Sequence, residues 1–202
     1  YFYTIQETLK IVIIQSDLVW EDPFANRATF YRKIQAIPSE FDLIVLPEMF
    51  TTGFSMNAPV LAEDNNGETL EWMIEIATHY DTAITGSIII NENNLFYNRL
   101  FFVYPDGSYD YYDKRHTFTL AGEDETYTAG TRKLIVEYKG FKMCPLICYD
   151  LRFPVWSRNT EEYDILLYVA NWPARRITAW DALLKARAIE NMSYCIGVNR
   201  VG

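Results

Sequence analysis

Three residues of complementary chemistry stand where predicted strands give way to loops. Glu48 follows DLIVLP (42–47), Lys114 follows YDYYD (109–113) and Cys148 follows KMCPLI (142–147). Ligands of α/β proteins bind just beyond the carboxyl ends of strands. Each of the three therefore stands where a side chain can reach a substrate. Together they make a complete set for acyl transfer. A thiol becomes a nucleophile when a base or a nearby cation favours its thiolate. A carboxylate can take the thiol proton and return it to a departing amine. An ammonium, with a backbone N–H such as that of Tyr149, can hold the oxyanion of a tetrahedral intermediate. Singly, each has a plain reading: Cys148 a small buried hydrophobe, Lys114 a surface charge, Glu48 a solvated or helix-capping carboxylate. They lie far apart in the chain, so only the fold can gather them.

The elements that must position them are read from the apolar pattern. Lys10–Gln15 (KIVIIQ), Asp42–Leu46 (DLIVL) and Asp164–Ala170 (DILLYVA) are short continuous apolar runs, the pattern of strands buried on both faces. Thr82–Ile90 and Ser193–Asn199 also read as strands. Leu95–Tyr104 and Tyr109–Asp113 flank Pro105-Asp106-Gly107 as a hairpin, and Lys133–Tyr138 pairs with Phe141–Cys148 across Lys139-Gly140. Helical spacing marks 26–37 (Phe30, Ile34, Ile37), about 68–80 (Leu70, Met73, Ile74, Ala77, Tyr80) and about 175–192 (Trp180, Leu183, Leu184, Ala188). Thr51–Pro59 and Thr117–Gly130 read as loops, and Tyr1–Thr8 as a peripheral lead-in. Strands buried on both faces with amphipathic helices between them predict an α/β fold. Alternating hairpin strands let two such sheets stack as an α-β-β-α sandwich. No repeat or linker interrupts it, so 1–202 reads as a single domain with its core starting at about residue 10.

Composition excludes several classes. Half of the 202 residues are apolar and 16% are aromatic, enough for a large core. The net charge of −9 disfavours nucleic acid and anionic membrane surfaces, which require clustered Lys and Arg. No apolar run reaches the length of a membrane span. Three cysteines without framework spacing point to a reducing, cytoplasmic setting. Two histidines, and a CxxxC at 144 and 148 with no second ligand pair, make a zinc site improbable. If Cys144 and Cys148 share a strand they stand about 13 Å apart, too far for a disulfide switch.

LPEMF (46–50), YDKRHTF (112–118) and ICYDLRFP (147–154) resemble the three signatures of the nitrilase, or carbon–nitrogen hydrolase, superfamily, in its order Glu, Lys, Cys. WDALLKARAIEN (180–191) resembles the helix that follows its active-site strands. The resemblance covers nearly all of 10–202. It implies a four-layer α-β-β-α sandwich and hydrolysis of non-peptide C–N bonds through a cysteine thioester, with no cofactor and no metal. PEMFTTGFSMN (47–57) and DKRHTFTLAGE (113–123) look most like the ω-amidase branch, which deaminates 2-oxoglutaramate and 2-oxosuccinamate. The family uses a second glutamate between the lysine and the cysteine; Glu123 best matches its place, with Glu125 the fallback. The family's fold continues beyond the last strand found here, so the resemblance implies that the C-terminal part is truncated. It also implies a homodimer associating through the helix at 175–192.

A keto-acid amide carries a carboxylate that needs a cationic partner. Arg152, Arg175 and Arg176 each follow a strand end and are candidates. Arg152 can equally form a buried structural ion pair, and Arg175 and Arg176 the solvated start of a helix. Phe54, Met56 and Trp172 are candidate apolar walls, and Cys144 and Cys195 sit in apolar runs as core residues. His116 invites a Cys-His pair, but the family reading makes it only a neighbour of Lys114. The alternatives are another branch (an N-carbamoyl amino-acid hydrolase, an aliphatic amidase or a nitrile hydrolase) and a non-catalytic binding scaffold.

Overall fold

The computed structural model describes residues 8–38 and 40–202; the lead-in read at Tyr1–Thr8 falls almost wholly outside them. Five strands, β1 (Ile11–Ile13), β2 (Leu43–Val45), β3 (Ala83–Glu92), β4 (Leu95–Val103) and β5 (Tyr109–Asp113), form one sheet in chain order. β1 to β3 run parallel, and β3, β4 and β5 run antiparallel. β6 (Val136–Tyr138), β7 (Phe141–Ile147), β8 (Ile165–Ala170) and β9 (Tyr194–Asn199) form the second sheet, parallel except for the β6–β7 hairpin.

Both faces of the first sheet are covered, which is why its central strands read as unbroken apolar runs. On β2, Leu43 and Val45 join Leu100, Phe102, Met143 and Leu146 in the core between the sheets. The alternate residues, Ile44 and then Leu46, pack on the other side with Phe30, Ile34 and Met73. Those last three belong to the outer helices α1 (Pro23–Gln35) and α3 (Glu68–Tyr80). α1 is started by Asp22, whose carboxylate accepts from the Ala25 N–H at 2.9 Å, with Pro23 in its first turn. α3 ends at Asp81, left-handed with φ 49°. The fourth layer is α5 (Ile177–Asn191), seated on β9 where Gly197 leaves room: a Cβ there would lie 2.6 Å from Leu184 and Trp180. The resulting order is helices, sheet, sheet, helix.

Several elements differ from their sequence pattern. β1 is an edge strand of three residues, with Ile13 47% exposed, rather than a buried strand. α1 stops at Gln35, leaving Ile37 beyond its end. The 51–59 loop runs into a short helix, α2 (Ala58–Leu61). The 117–130 loop contains a 3₁₀ turn (Thr119–Ala121) and a four-residue helix, α4 (Glu123–Thr126). A further hairpin joins β3 to β4 through Asn93 and Asn94, both at positive φ (54° and 62°), the conformation that two-residue hairpins require.

Candidate active site

Glu48, Lys114 and Cys148 meet at one end of the sandwich. Glu48 lies just past β2, in a turn held to β3 by the Met49 N–H on Ser87 Oγ (2.9 Å) and the Phe50 N–H on the Ser87 carbonyl (3.1 Å). Lys114 is the first residue after β5. Its N–H donates to the Asn98 carbonyl at 3.0 Å, and its own carbonyl accepts from the Gly130 N–H at 2.9 Å. The adjacent Asp113 is gripped by both arms of buried Arg99, at 2.7 and 2.9 Å. Cys148 opens a 3₁₀ turn (Cys148–Arg152) directly after β7, in the left-handed region with φ 44°. A non-glycine residue there is uncommon and such strain gathers at functional sites. The turn is braced from α5 by Arg187, which donates to the Leu151 carbonyl at 2.8 Å.

The charged groups are buried and paired. The Lys114 ammonium donates to Glu48 Oε1 at 2.8 Å and to both oxygens of Glu123 at 2.9 Å. Glu48, Glu123 and Lys114 are all at most 1% exposed. Burial alone pulls the Lys114 ammonium down, but the charges of Glu123 and Glu48 outweigh it and hold its pKa above the usual lysine range. Burial raises the Glu123 carboxyl, with Lys114 opposing and the Glu48 charge adding to the rise. Burial also pushes the Cys148 thiol well up; neighbouring Glu48 adds to this and Lys114 works against it. The resting sulfur is therefore a neutral thiol beside a carboxylate, an arrangement that calls for deprotonation during attack rather than a standing thiolate. Glu125, the fallback, is exposed.

Two asparagines complete the Glu48 environment without having been singled out in the sequence. Asn98 on β4 donates to Glu48 Oε1 at 2.8 Å and to Glu123 Oε1 at 3.3 Å. The Asn171 N–H donates to Glu48 Oε2 at 2.8 Å, and its side chain donates to the Glu48 carbonyl. Asn171 had a legible signal, since it ends a buried strand as Glu48 and Cys148 do. Asn98 showed only as one polar residue in a strand.

A cavity of about 320 Å³ opens over Cys148, Lys114 and Asn171. Phe54, Tyr149 and Trp172 line it, joined by Trp20 and Phe118; Arg152, Arg175, Arg176 and Arg200 supply further lining, and among the described residues no Asp or Glu does. Arg152 is exposed and lies over the Trp172 ring at 5.0 Å, instead of forming a buried ion pair. Arg176 lies over Phe118 at 5.1 Å and the Lys114 ammonium over Phe54 at 5.2 Å. Met56 packs instead with Met49, Ala58 and Tyr127. His116 does not pair with the thiol; its Nδ1 is 2.8 Å from Asp150 and its ring stacks on Phe153 at 3.7 Å. Burial pushes the Cys144 and Cys195 thiols up to about 12. Among the described residues no group of His, Cys, Asp or Glu side chains is arranged to hold a metal ion.

The carbon-nitrogen hydrolase family matches residues 10–202. The omega-amidase YafV of Yersinia enterocolitica is 49% identical, over 96% of this chain and 75% of that protein. The 2-oxoglutaramate amidase of Bacillus subtilis is 33% identical, over 95% of this chain and 76% of that protein. Among solved structures, a CN-hydrolase superfamily protein of Xanthomonas campestris with an arsenic adduct in its active site superposes with a TM-score of 0.93. It is 44% identical, over 96% of this chain and 76% of that one. The α-β-β-α sandwich is that of the matching solved structure, and the chain belongs to the carbon-nitrogen hydrolase family.

Proposed function

We propose that this protein is an ω-amidase, hydrolysing the terminal amide of 2-oxoglutaramate or 2-oxosuccinamate to the dicarboxylic keto acid and ammonia. The observation that carries the substrate is the charge of the cavity. In a chain of net charge −9, the charged groups that line it among the described residues are all cationic. A keto-acid amide brings one carboxylate and no ammonium, and suits such a lining. Glutamine and asparagine add an α-ammonium, which like charge repels.

The catalytic set we assign is Glu48, Lys114, Cys148 and Glu123. Cys148 Sγ attacks the amide carbonyl as Glu48 takes the thiol proton. The Lys114 ammonium and the Tyr149 N–H hold the oxyanion. As the C–N bond breaks, Glu48 passes that proton to the departing nitrogen, leaving a thioester on Cys148. Glu48 then takes a proton from water, which attacks the thioester, and gives it back to the sulfur as the acid leaves. Glu123 fixes the ammonium through two hydrogen bonds, while Arg152, Arg175, Phe54 and Trp172 hold the rest of the substrate. No cofactor enters these steps.

The two sheets share one core, which supports reading 1–202 as a single catalytic domain. Exposed Ile189, Met192 and Tyr194 at the end of α5 and the start of β9 (77%, 94% and 75%) support a homodimer through that face. Three unpaired cysteines support a cytoplasmic setting. The net charge disfavours nucleic acid and membranes as partners. The deciding experiment is ammonia release from 2-oxoglutaramate, 2-oxosuccinamate, glutamine, asparagine, an N-carbamoyl amino acid and a simple nitrile, with Cys148→Ala beside it. Release from the keto-acid amides that is lost in the variant is the expected result. Release only from another member of the panel would keep the chemistry and discard the branch.

A further inference from the structure

Asp150 is fully buried and its carboxylate accepts four hydrogen bonds, divided between the two halves of the site. Oδ2 takes the Ile147 N–H at 3.1 Å and the Tyr112 hydroxyl at 2.8 Å. Oδ1 takes the His116 N–H at 2.9 Å and the His116 ring Nδ1 at 2.8 Å. Ile147 immediately precedes Cys148 on the second sheet. Tyr112 and His116 flank Lys114 at two residues on either side, at the end of the first sheet. One carboxylate therefore bonds the main chain beside the nucleophile with one oxygen, and the main chain beside the cation with the other. Tyr112 extends the grip: its oxygen also accepts from the Arg115 N–H at 3.1 Å and from Trp156 Nε1 at 3.0 Å. Burial and the Asp150 charge hold the phenol protonated, so it stays a donor to the carboxylate.

We propose that Asp150 is a positioning residue that sets the distance between the Cys148 sulfur and the Lys114 ammonium. The inference rests on the assignment of Cys148 as nucleophile and Lys114 as oxyanion partner. The bond to Ile147 also holds the residue before the strained left-handed Cys148, while Arg187 braces the turn at Leu151. An amide cannot replace the carboxylate. Each oxygen carries one main-chain N–H, and neither N–H can turn round. In either orientation an asparagine aims its NH₂ group at one of them.

The test is Asp150→Asn, with Tyr112→Phe as a second variant that removes one of the four bonds to Asp150, together with the acceptor of the Arg115 N–H and Trp156 Nε1, and keeps the ring. Two readouts are taken: kcat and KM on 2-oxoglutaramate, and the pH dependence of Cys148 alkylation by iodoacetamide, which needs no substrate. Glu48, Lys114 and Glu123 are the charged groups that act on this thiol. In Asp150→Asn we expect kcat to fall ~100-fold, the loss that a misplacement of about 1 Å produces, with KM nearly unchanged. The alkylation profile moves to higher pH, because the thiolate loses the help of Lys114. Tyr112→Phe loses at least roughly tenfold in kcat, because it removes one hydrogen bond to a charged group and takes the acceptor from the Arg115 N–H and Trp156 Nε1. A folded Asp150→Asn protein with kcat within threefold of the parent and an unmoved alkylation profile would overturn the proposal. Should that variant fail to fold, unchanged kcat and profile in Tyr112→Phe would overturn it instead. If the parent protein leaves 2-oxoglutaramate intact, the substrate assignment fails, and the alkylation profiles still decide the role of Asp150.

Discussion

Gly130 gives the sharpest measure of how tightly Lys114 is held. It lies at the end of the loop carrying Glu123; its N–H donates to the Lys114 carbonyl at 2.9 Å, and the Gly130 carbonyl accepts from the Arg115 guanidinium at 3.0 Å. A Cβ on Gly130 would lie 2.1 Å from the Asp113 carbonyl oxygen and 2.8 Å from its carbon. Carbon and oxygen without a bond between them approach to about 3.3 Å, so Gly130→Ala forces the two backbones apart by roughly 1 Å. The atoms displaced are main chain on both sides, so no side-chain rotation relieves the clash. The overpacking costs about 1–3 kcal/mol, and at ~2–4 °C per kcal/mol for a domain of this size the melting temperature falls by several degrees. The ammonium shifts with its backbone, and a displacement of that size costs ~100-fold in kcat. Steady-state kinetics on 2-oxoglutaramate and a thermal melt of the same preparation read both effects. A Gly130→Ala protein with unchanged melting temperature and kcat within threefold would refute the reasoning, because Lys114 would then tolerate displacement.

Glu48→Gln should lower kcat by at least ~10³-fold by removing both the acceptor of the thiol proton and the activator of water, and stopped-flow should find no burst of ammonia; a burst would mean another group takes the proton. Arg152→Ala and Arg175→Ala should each raise KM for 2-oxoglutaramate about tenfold, the worth of one charge-assisted contact, with kcat little changed; an unchanged KM in both would move carboxylate binding to Arg176 or Arg200. Because burial and Glu48 push the Cys148 thiol up, iodoacetamide should label it slowly at pH 7 and faster as pH rises beyond the ordinary thiol range; full-rate labelling at neutral pH would mean a standing thiolate.

How much of this was legible in sequence depended on the range of the forces involved. β2 and β8 showed as apolar runs because the fold covers them on both sides, and α3 showed because Leu70, Met73 and Ala77 repeat at helical spacing. β1 carries the same kind of run but lies at an edge, a fact set by its neighbours rather than by its own residues. The four residues of α4 are too few and too polar to show a period; what fixes Glu123 there is Lys114, a tertiary contact. Glu48, Lys114 and Cys148 were visible because each ends a strand and carries reactive chemistry. Asn98 and Asp150 were not, since one amide or carboxylate in a strand or turn looks the same whether it meets water or a buried charge. Arg152 was legible as a cation but not in its setting, because the Trp172 platform comes from a different strand end.

The division of the site between the two sheets has a consequence for biosynthesis. Glu48, Lys114 and Glu123 belong to the first sheet and its loop, and Cys148 and Asn171 follow the strands of the second. Glu48 and Lys114, the proposed proton acceptor and oxyanion partner, thus emerge from the ribosome before the sulfur does. Until the core between the sheets closes, Cys148 has neither neighbour and remains an ordinary thiol. Assembly of the proposed catalytic set therefore arrives together with burial, in the same docking event. A nascent or partly opened chain holds Cys148 as an ordinary thiol without the proposed proton acceptor, and hydrolytic activity serves as a reporter that the core between the sheets has closed.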